Sequence, residues 1–540
     1  MTNPIRWLNI FVLTTIVSGV MVYAESGVVK NAPRPNIIVI LADDMGFSDL
    51  GCYGSEIATP NLDKLAANGL RLTQFYNSAR CCPSRASLLT GLYAHQAGQG
   101  GMLEDFGVPG YTGHLNDTCV TIAEALRPAG YFTATCGKWH VGMNVGVSPW
   151  NRGFDHSLSN AIGGLYFLDD KGQLYLDGNI ASGNKAKGHA AEFDSNYSTD
   201  VLTDYSLKFI DAAKSEKKPF FLYLAEFAPH WHLQATPEDI AKWRGKFKSG
   251  WEILRQQRYE KQKTLGVIDN SLILPPLPSE VPAWDKLSAA EQDKFDHIMA
   301  IYAAVVEHMD RSIGRLVDAL KQRGELDNTI IMFMSDNGAS AEGDEGHLDG
   351  SPPGSVKSKV MQGQYWATLS NTPLRKWKGR NHEGGISTPL IIHWPQGIKA
   401  AGELRTQPAH LIDIMPTCVE LAGATYPKEF SGKAILPMEG RSLVPLFDNR
   451  QIQRDALYWE HSGNAAVRLG DWKLVRNGIK GEWELYNIKD DRTESNNLAA
   501  TEPERVKDLN TLWQNWAVRA QVLPYPGKKA DKLKGKKEDE

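Results

Sequence analysis

Four oxygen-bearing side chains stand just beyond two apolar runs. Asp43 and Asp44 follow NIIVIL (36–41), and Asp336 and Asn337 follow TIIMFM (329–334). Such hard oxygen donors suit calcium or magnesium in preference to zinc. Either pair alone reads more simply as capping the next helix, but the two together favour a metal. Arg85, Lys138 and Lys378 add fixed positive charge, and His140 and His230 add groups that titrate near neutral pH. Around a potential nucleophile at Cys81, this set describes a site for a tetrahedral oxyanion ester.

The elements that must bring these residues together can be read from the apolar pattern. YFTATC (131–136) ends in Gly137-Lys138-Trp139-His140, and PFFLYL (219–224) is followed by Ala228-Pro229-His230. With NIIVIL and TIIMFM, these near-continuous apolar runs predict strands of a parallel sheet buried on both faces. Helical patterns such as NLDKLAANGL and IYAAVVEHMDRSIGRLVDAL lie between them, which gives β/α alternation. Open sheets of that kind place ligands at the carboxyl ends of their strands, where all four polar clusters fall. The fold class is therefore α/β, a large mostly parallel sheet sandwiched by helices over residues 33–445. Beyond residue 450 the texture changes. ALYWEH, AAVRLG, DWKLVR and WELYNI predict a small antiparallel sheet, and PERVKDLNTLWQNWAVRAQ one packed helix, as a subdomain spanning 450–525. The lysine- and acid-rich tail 526–540 reads as disordered.

Residues 1–24 have the form of an export signal: Arg6, an apolar run, then Val22 and Ala24 at the spacing a signal peptidase prefers. Asn9, Thr14, Thr15 and Ser18 interrupt that run, so cleavage after Ala24 is expected in place of a stable membrane anchor. The mature chain is then periplasmic or secreted. A formal net charge of −4 favours no polyanionic partner, and nothing supports nucleic-acid binding. The six cysteines, Cys52, Cys81, Cys82, Cys119, Cys136 and Cys418, are too few for a disulfide framework and form no CxxC zinc pair.

The vicinal pair lies in CCPSRASLLTG (81–91), which resembles the sulfatase signature C-x-P-S/A-R followed by L-T-G. In that signature the first cysteine is oxidised by a dedicated enzyme to formylglycine (3-oxoalanine). Spacing selects Cys81, because Pro83 and Arg85 then stand two and four residues on; Cys82 is the variable position. NIIVILADDMGFSDLGCYG, GKWHVG, APHWH, SDNGA and KGRNHEGG match further blocks in family order. Over residues 33 to 525 the chain is similar to the formylglycine-dependent arylsulfatases of the alkaline phosphatase-like superfamily.

The resemblance implies a metal shell of Asp43, Asp44, Asp336 and Asn337 completed by residue 81, with Ca2+ expected ahead of Mg2+. It implies that Arg85 steadies the hydrated formylglycine, Lys138 and Lys378 clamp sulfate oxygens, His230 serves the leaving oxygen and His140 the hydrate. The substrate is then an aryl or carbohydrate O-sulfate ester, and a formylglycine-generating enzyme is a partner in maturation. One hydroxyl of the hydrate attacks sulfur, and the other later expels sulfate as the aldehyde reforms. Two rivals stand beside this reading. A phosphomonoesterase or phosphodiesterase of the same superfamily would want a Ser or Thr nucleophile and a two-metal set, which CCPSR does not supply. A non-catalytic binder of sulfated glycans would follow if Cys81 stayed unmodified.

Some positions depart from the family pattern or stay open. Trp231-His232 stands where many relatives place a proline two residues after the histidine of APH. Lys378 is preferred to Lys376 by its distance to EGG. His382, His393 and His461 are expected to be structural. Trp231, Trp377 and Tyr365 could stack on an aryl or sugar ring, though aromatic residues this common in the chain are more often core. Specificity is expected from the loops 142–195 and 231–290.

Overall fold

NIIVILA, with every residue buried, forms the central strand β1 (Asn36–Ala42). In the computed structural model, which describes residues 34–168, 173–182, 193–343 and 350–526, the main sheet continues with ten further strands. They are β2 (Leu70–Tyr76), β3 (Phe132–Lys138), β4 (His156–Asn160), β5 (Leu174–Leu176), β6 (Asn179–Ser182), β7 (Phe220–Ala225), β8 (Thr329–Ser335), β9 (Ser387–His393), β10 (Glu403–Arg405) and β11 (Ala409–His410). Their order is β10-β2-β9-β8-β1-β7-β3-β4-β5-β6, and β11 also pairs with β2. The expected signal peptide and nearly all of the expected disordered tail lie outside the described residues.

β1 pairs in parallel with β7 and β8, as β7 does with β3 and β3 with β4. Because both faces of β1 are covered, its side chains split by parity. Ile38 and Ile40 enter a core with Ile298, Tyr302 and Val305 of the 34-residue helix Ala289–Gln322. Ile37, Val39 and Leu41 enter the opposite core with Leu88 and Leu89 of the helix Cys81–Thr90 and Met415 of the helix Ile414–Ala422. A continuous apolar run is what a strand with two such neighbours requires. The single reversal in this part of the sheet is β9, antiparallel to both β8 and β2.

The expected C-terminal elements form a four-stranded antiparallel sheet: Leu457–His461, Asn464–Leu469, Trp472–Arg476 and Glu484–Asn487. The helix Pro503–Arg519 covers one face, with Trp513 and Trp516 buried beside Val467 and Leu474. The other face meets the main sheet through Trp459, whose ring lies 5.3 Å from that of Tyr76 and whose Nε1 donates to Asn77 O at 2.8 Å. A buried ionic knot adds to this seam: Lys473 Nζ is 2.8 Å from Glu383 Oε1 and 2.8 Å from Glu494 Oε1. It anchors the segment that carries Lys378. Among the described residues, no helix is long and apolar enough to cross a membrane.

Candidate active site

The site gathers at the carboxyl ends of β1, β3, β7 and β8. Consecutive strand residues face opposite ways, so two adjacent acids can share one site only if the strand path breaks. It does so at Asp44, which takes φ 71°, a left-handed conformation that aspartate tolerates better than most residues. Asp43 and Asp44 are both buried. Asp336 Oδ1 accepts from the Asp44 backbone N–H at 3.2 Å, and Asn337 Nδ2 donates to Asp44 Oδ1 at 2.7 Å.

Cys81 opens the helix Cys81–Thr90, all ten residues of which are buried. Arg80 at the N-cap supplies no side-chain cap, so the helix presents its positive end and free N–H groups to whatever stands at residue 81. Gly91 ends the helix in a left-handed conformation, φ 70°, where a Cβ would meet Met415 Cβ at 2.8 Å. The ligand atoms of Asp43, Asp44, Cys81 and His230 lie within 4.8 Å of one another. One turn into the helix, Arg85 Nη2 reaches Asp336 Oδ2 at 2.8 Å and Asp43 Oδ1 at 3.5 Å.

Lys138, the last residue of β3, donates from Nζ to Asp43 Oδ2 at 2.7 Å. Lys378 Nζ donates to Asp44 Oδ2 at 2.8 Å and lies 3.4 Å from His230 Nε2. His230 Nδ1 pairs with the Trp231 carbonyl, which makes Nδ1 the donor and leaves Nε2 in the site, between Lys378 Nζ and Asp44 Oδ2, the latter at 3.6 Å. His140 is buried, takes φ 57°, and has no hydrogen-bond partner at Nδ1 among the described residues. Every proposed site residue is thus brought into one cluster, and Lys376 is left outside it.

Burial is the strongest single influence on these groups, and charge decides which way each goes. It raises the Asp43 carboxyl, yet Lys138, His230, Arg85 and Lys378 together hold that carboxyl well below its usual range. For Asp336, burial followed by repulsion from Asp43 prevails, and the acid is pushed up to about 7. Burial, then Lys138 and Arg85, pull His140 well below the usual imidazole value, so its ring is neutral. Burial would lower Lys138 and Lys378, but Asp43 and Cys81 raise the first, and Asp44, Cys81 and Glu342 the second. Both remain cationic.

The sulfatase family profile matches residues 35–424, and that of the N-sulphoglucosamine sulphohydrolase C-terminal region matches residues 377–517. The chain belongs to the sulfatase family. An uncharacterised sulfatase of Schizosaccharomyces pombe is 36% identical, over 91% of this chain and 95% of its own. An arylsulfatase of Klebsiella aerogenes is 35% identical, over 81% of this chain and 97% of its own. Among solved structures, Ps i-CgsB in complex with k-i-k-neocarrahexaose superimposes with a TM-score of 0.67 at 27% identity, covering 92% of this chain and 100% of that one. The protein is accordingly a sulfuric ester hydrolase with the alkaline phosphatase-like fold.

Within this sulfatase, Asp43 Oδ1 and Asn337 Oδ1 are buried without a hydrogen-bond partner among the described residues. Orphaned hard oxygens beside further carboxylates are what a divalent cation satisfies, so the residues present fit a metal. Asp43, Asp44, Asp336 and Glu342 are matched by Arg80, Arg85, Lys138 and Lys378, and a cation added to this balanced set leaves a net positive field for an anionic ester.

Glu342 and Arg80 were not singled out in the sequence. Glu342 Oε2 accepts from Lys378 Nζ at 2.8 Å and from Trp231 Nε1 at 2.7 Å, while its Oε1 lies 2.6 Å from Arg80 Nη2. Arg80 could have been found as the residue preceding the signature; Glu342, in the run SAEGDE, has no distinguishing spacing. Tyr365 is half-buried and packs against the core, its ring 5.2 Å from Trp251 and 5.6 Å from Phe295. His382, His393 and His461 are buried, His382 with Nε2 3.3 Å from Glu484 Oε2. Cys82 is fully buried.

Proposed function

We propose that this sulfatase is an exported enzyme that hydrolyses aryl or carbohydrate O-sulfate esters, using residue 81 in its formylglycine form beside a calcium ion. The observation that carries the reading is the placement of Cys81 at a helix N-terminus, within 4.8 Å of the ligand atoms of Asp43, Asp44 and His230. Asp43, Asp44, Asp336 and Asn337 would hold the cation, whose chemistry is to polarise sulfate oxygen and favour a hard oxygen nucleophile. The formylglycine hydrate supplies that nucleophile, which a soft thiolate would not.

The remaining roles follow from this chain's own groups. An ammonium has three donors, so Lys138, held by Asp43, keeps two hydrogens for sulfate oxygens, and Lys378, held by both Asp44 and Glu342, keeps one. Charge held in place before reaction stabilises the transition state without reorganisation. His230, with Nδ1 committed to the Trp231 carbonyl, would use Nε2 to exchange a proton with the departing oxygen. His140, kept neutral by burial and by Lys138 and Arg85, suits the acceptance of a proton from residue 81. Arg85 locks Asp336 and Asp43 in register and donates to the Lys138 carbonyl at 3.1 Å.

Peptide mass spectrometry of residue 81, together with sulfate release from nitrophenyl sulfate, tests the reading. Activity is expected to scale with the fraction of Cys81 converted, and turnover by fully unconverted protein would overturn it. Release of phosphate but not sulfate from matched esters would favour the phosphatase alternative.

A further inference from the structure

On the far side of the loop that delivers Lys378, a cavity of about 570 Å³ opens between residues 275–280, the helix Gly250–Thr264 and the C-terminal strand Glu484–Asn487. Its size suits a saccharide unit. Arg255 lines it while only 6% exposed. Its Nη1 donates to Pro275 O at 2.6 Å, and among the described residues its Nε has no hydrogen-bond partner and no acid exerts a charge on it. Burial alone pushes this guanidinium down to about 10.

Lys376 lines the same cavity, likewise without an ion pair, and lies with Nζ 5.2 Å from the centroid of the Trp377 ring. Burial and the neighbouring Arg375 lower its ammonium, and the exposed Glu280 offsets this only in part. The other acids of the wall are already committed. Glu484 accepts from Arg375 Nη1 at 2.9 Å, and Glu494 Oε1 is 2.8 Å from Lys473 Nζ. A desolvated guanidinium without a counterion costs stability, and is retained where a ligand supplies the missing charge.

We propose that this cavity binds an oxyanion group, sulfate or carboxylate, with Arg255 and Lys376 as its counterions and Trp377 as a face for an attached sugar ring. The choice of ligand chemistry rests on the sulfate-ester reading. Two sources share that chemistry: an anionic sugar unit next to the one being desulfated, or free sulfate released by the reaction. Either occupant touches Lys376 and Trp377, which directly precede Lys378 on one loop, and the Arg375 carbonyl accepts from Gly384 N at 2.8 Å across the loop's base.

The test is calorimetry on Cys81→Ala protein with two probes, inorganic sulfate and a sulfated disaccharide containing a uronic acid. Arg255→Met with Lys376→Met is expected to weaken disaccharide binding by roughly tenfold or more, as loss of a charge-assisted contact does. If the sulfate isotherm is unchanged, the occupant is the saccharide unit. If sulfate loses a second site that Lys378→Met leaves intact, the occupant is the free oxyanion. Equal isotherms for both probes in parent and double variant would overturn the proposal. Arg255→Met is further expected to keep or raise the thermal midpoint. A drop in midpoint with unaltered binding would make Arg255 a brace for the Pro275 loop and overturn its assignment. Nitrophenyl sulfate turnover by converted wild-type enzyme reports separately on the sulfate-ester reading.

Discussion

Lys378 Nζ lies 2.8 Å from Asp44 Oδ2, and the cation and the acid come from opposite ends of the chain's catalytic region. Glu342 holds the same ammonium from the other side at 2.8 Å, so the position of Lys378 is fixed before substrate arrives. Lys378→Met should lower kcat/KM by about 10²–10³, the usual loss when a preorganised donor is removed. Glu342→Gln should cost less, chiefly through KM, because it loosens Lys378 without removing its charge. Steady-state kinetics on nitrophenyl sulfate decide this, and wild-type kinetics for Lys378→Met would exclude Lys378 from the site.

Adjacent cysteines have different surroundings here. Cys82 is fully buried, and burial, then Cys81, push its thiol far above the ordinary range. It is therefore inert to alkylation in the folded state. Cys82→Ser should retain turnover per converted residue 81, whereas Cys81→Ala should retain none. A Cys82→Ser protein with full conversion but no activity would contradict the bystander role.

Among the described residues nothing donates a hydrogen bond to Asp43 Oδ1 or Asn337 Oδ1, and a bound cation would supply the contact these buried oxygens lack. Chelation should lower the thermal midpoint as well as activity, by loss of ligand linkage, and calcium should restore both. Asp43→Asn should lose activity and should also lose the chelator's effect on the midpoint. Stoichiometric zinc in active enzyme, with no calcium or magnesium, would refute the oxygen-ligand assignment.

The strands that carry the site could be read because they are buried on both faces. β1, β7 and β8 have no polar face to interrupt them, and their polar ends mark the crevice. LRLTQFY, by contrast, contains Arg71 and Gln74, and forms β2 through its pairing with β9, β10 and β11. The antiparallel reversal of β9 leaves no trace in composition. Single signature residues were legible by type and spacing, but Glu342 owes its role to Arg80, Trp231 and Lys378, which meet only in three dimensions. The same holds for Tyr365, whose aromatic neighbours Trp251 and Phe295 are remote in sequence.

The two histidines should separate by leaving group. His230 Nε2 is the ring nitrogen in the site, so His230→Ala should slow alkyl and sugar sulfates, whose alcohols need a proton to depart, far more than nitrophenyl sulfate. His140→Ala should affect both substrates alike and accumulate a sulfated residue-81 adduct, visible by mass spectrometry. An adduct trapped by His230→Ala and not by His140→Ala would reverse the roles.

A last prediction concerns Glu226, just past β7, whose two carboxylate oxygens are buried with no hydrogen-bond partner among the described residues. Burial, and then repulsion from Asp200, push it from 4.5 up to about 8. Its folded-state pKa thus exceeds the unfolded value, and between the two the folded chain holds a proton the unfolded chain has lost. Stability from this group is full below about pH 4.5 and declines by about 1.4 kcal/mol per pH unit until about pH 8, beyond which it is flat. Glu226→Gln removes the titration and should gain thermal stability relative to wild type as pH rises from 5 to 8. A wild-type minus variant difference in midpoint that stays constant across that window would show that Glu226 is ionised in the fold, with a counterion close to its carboxylate.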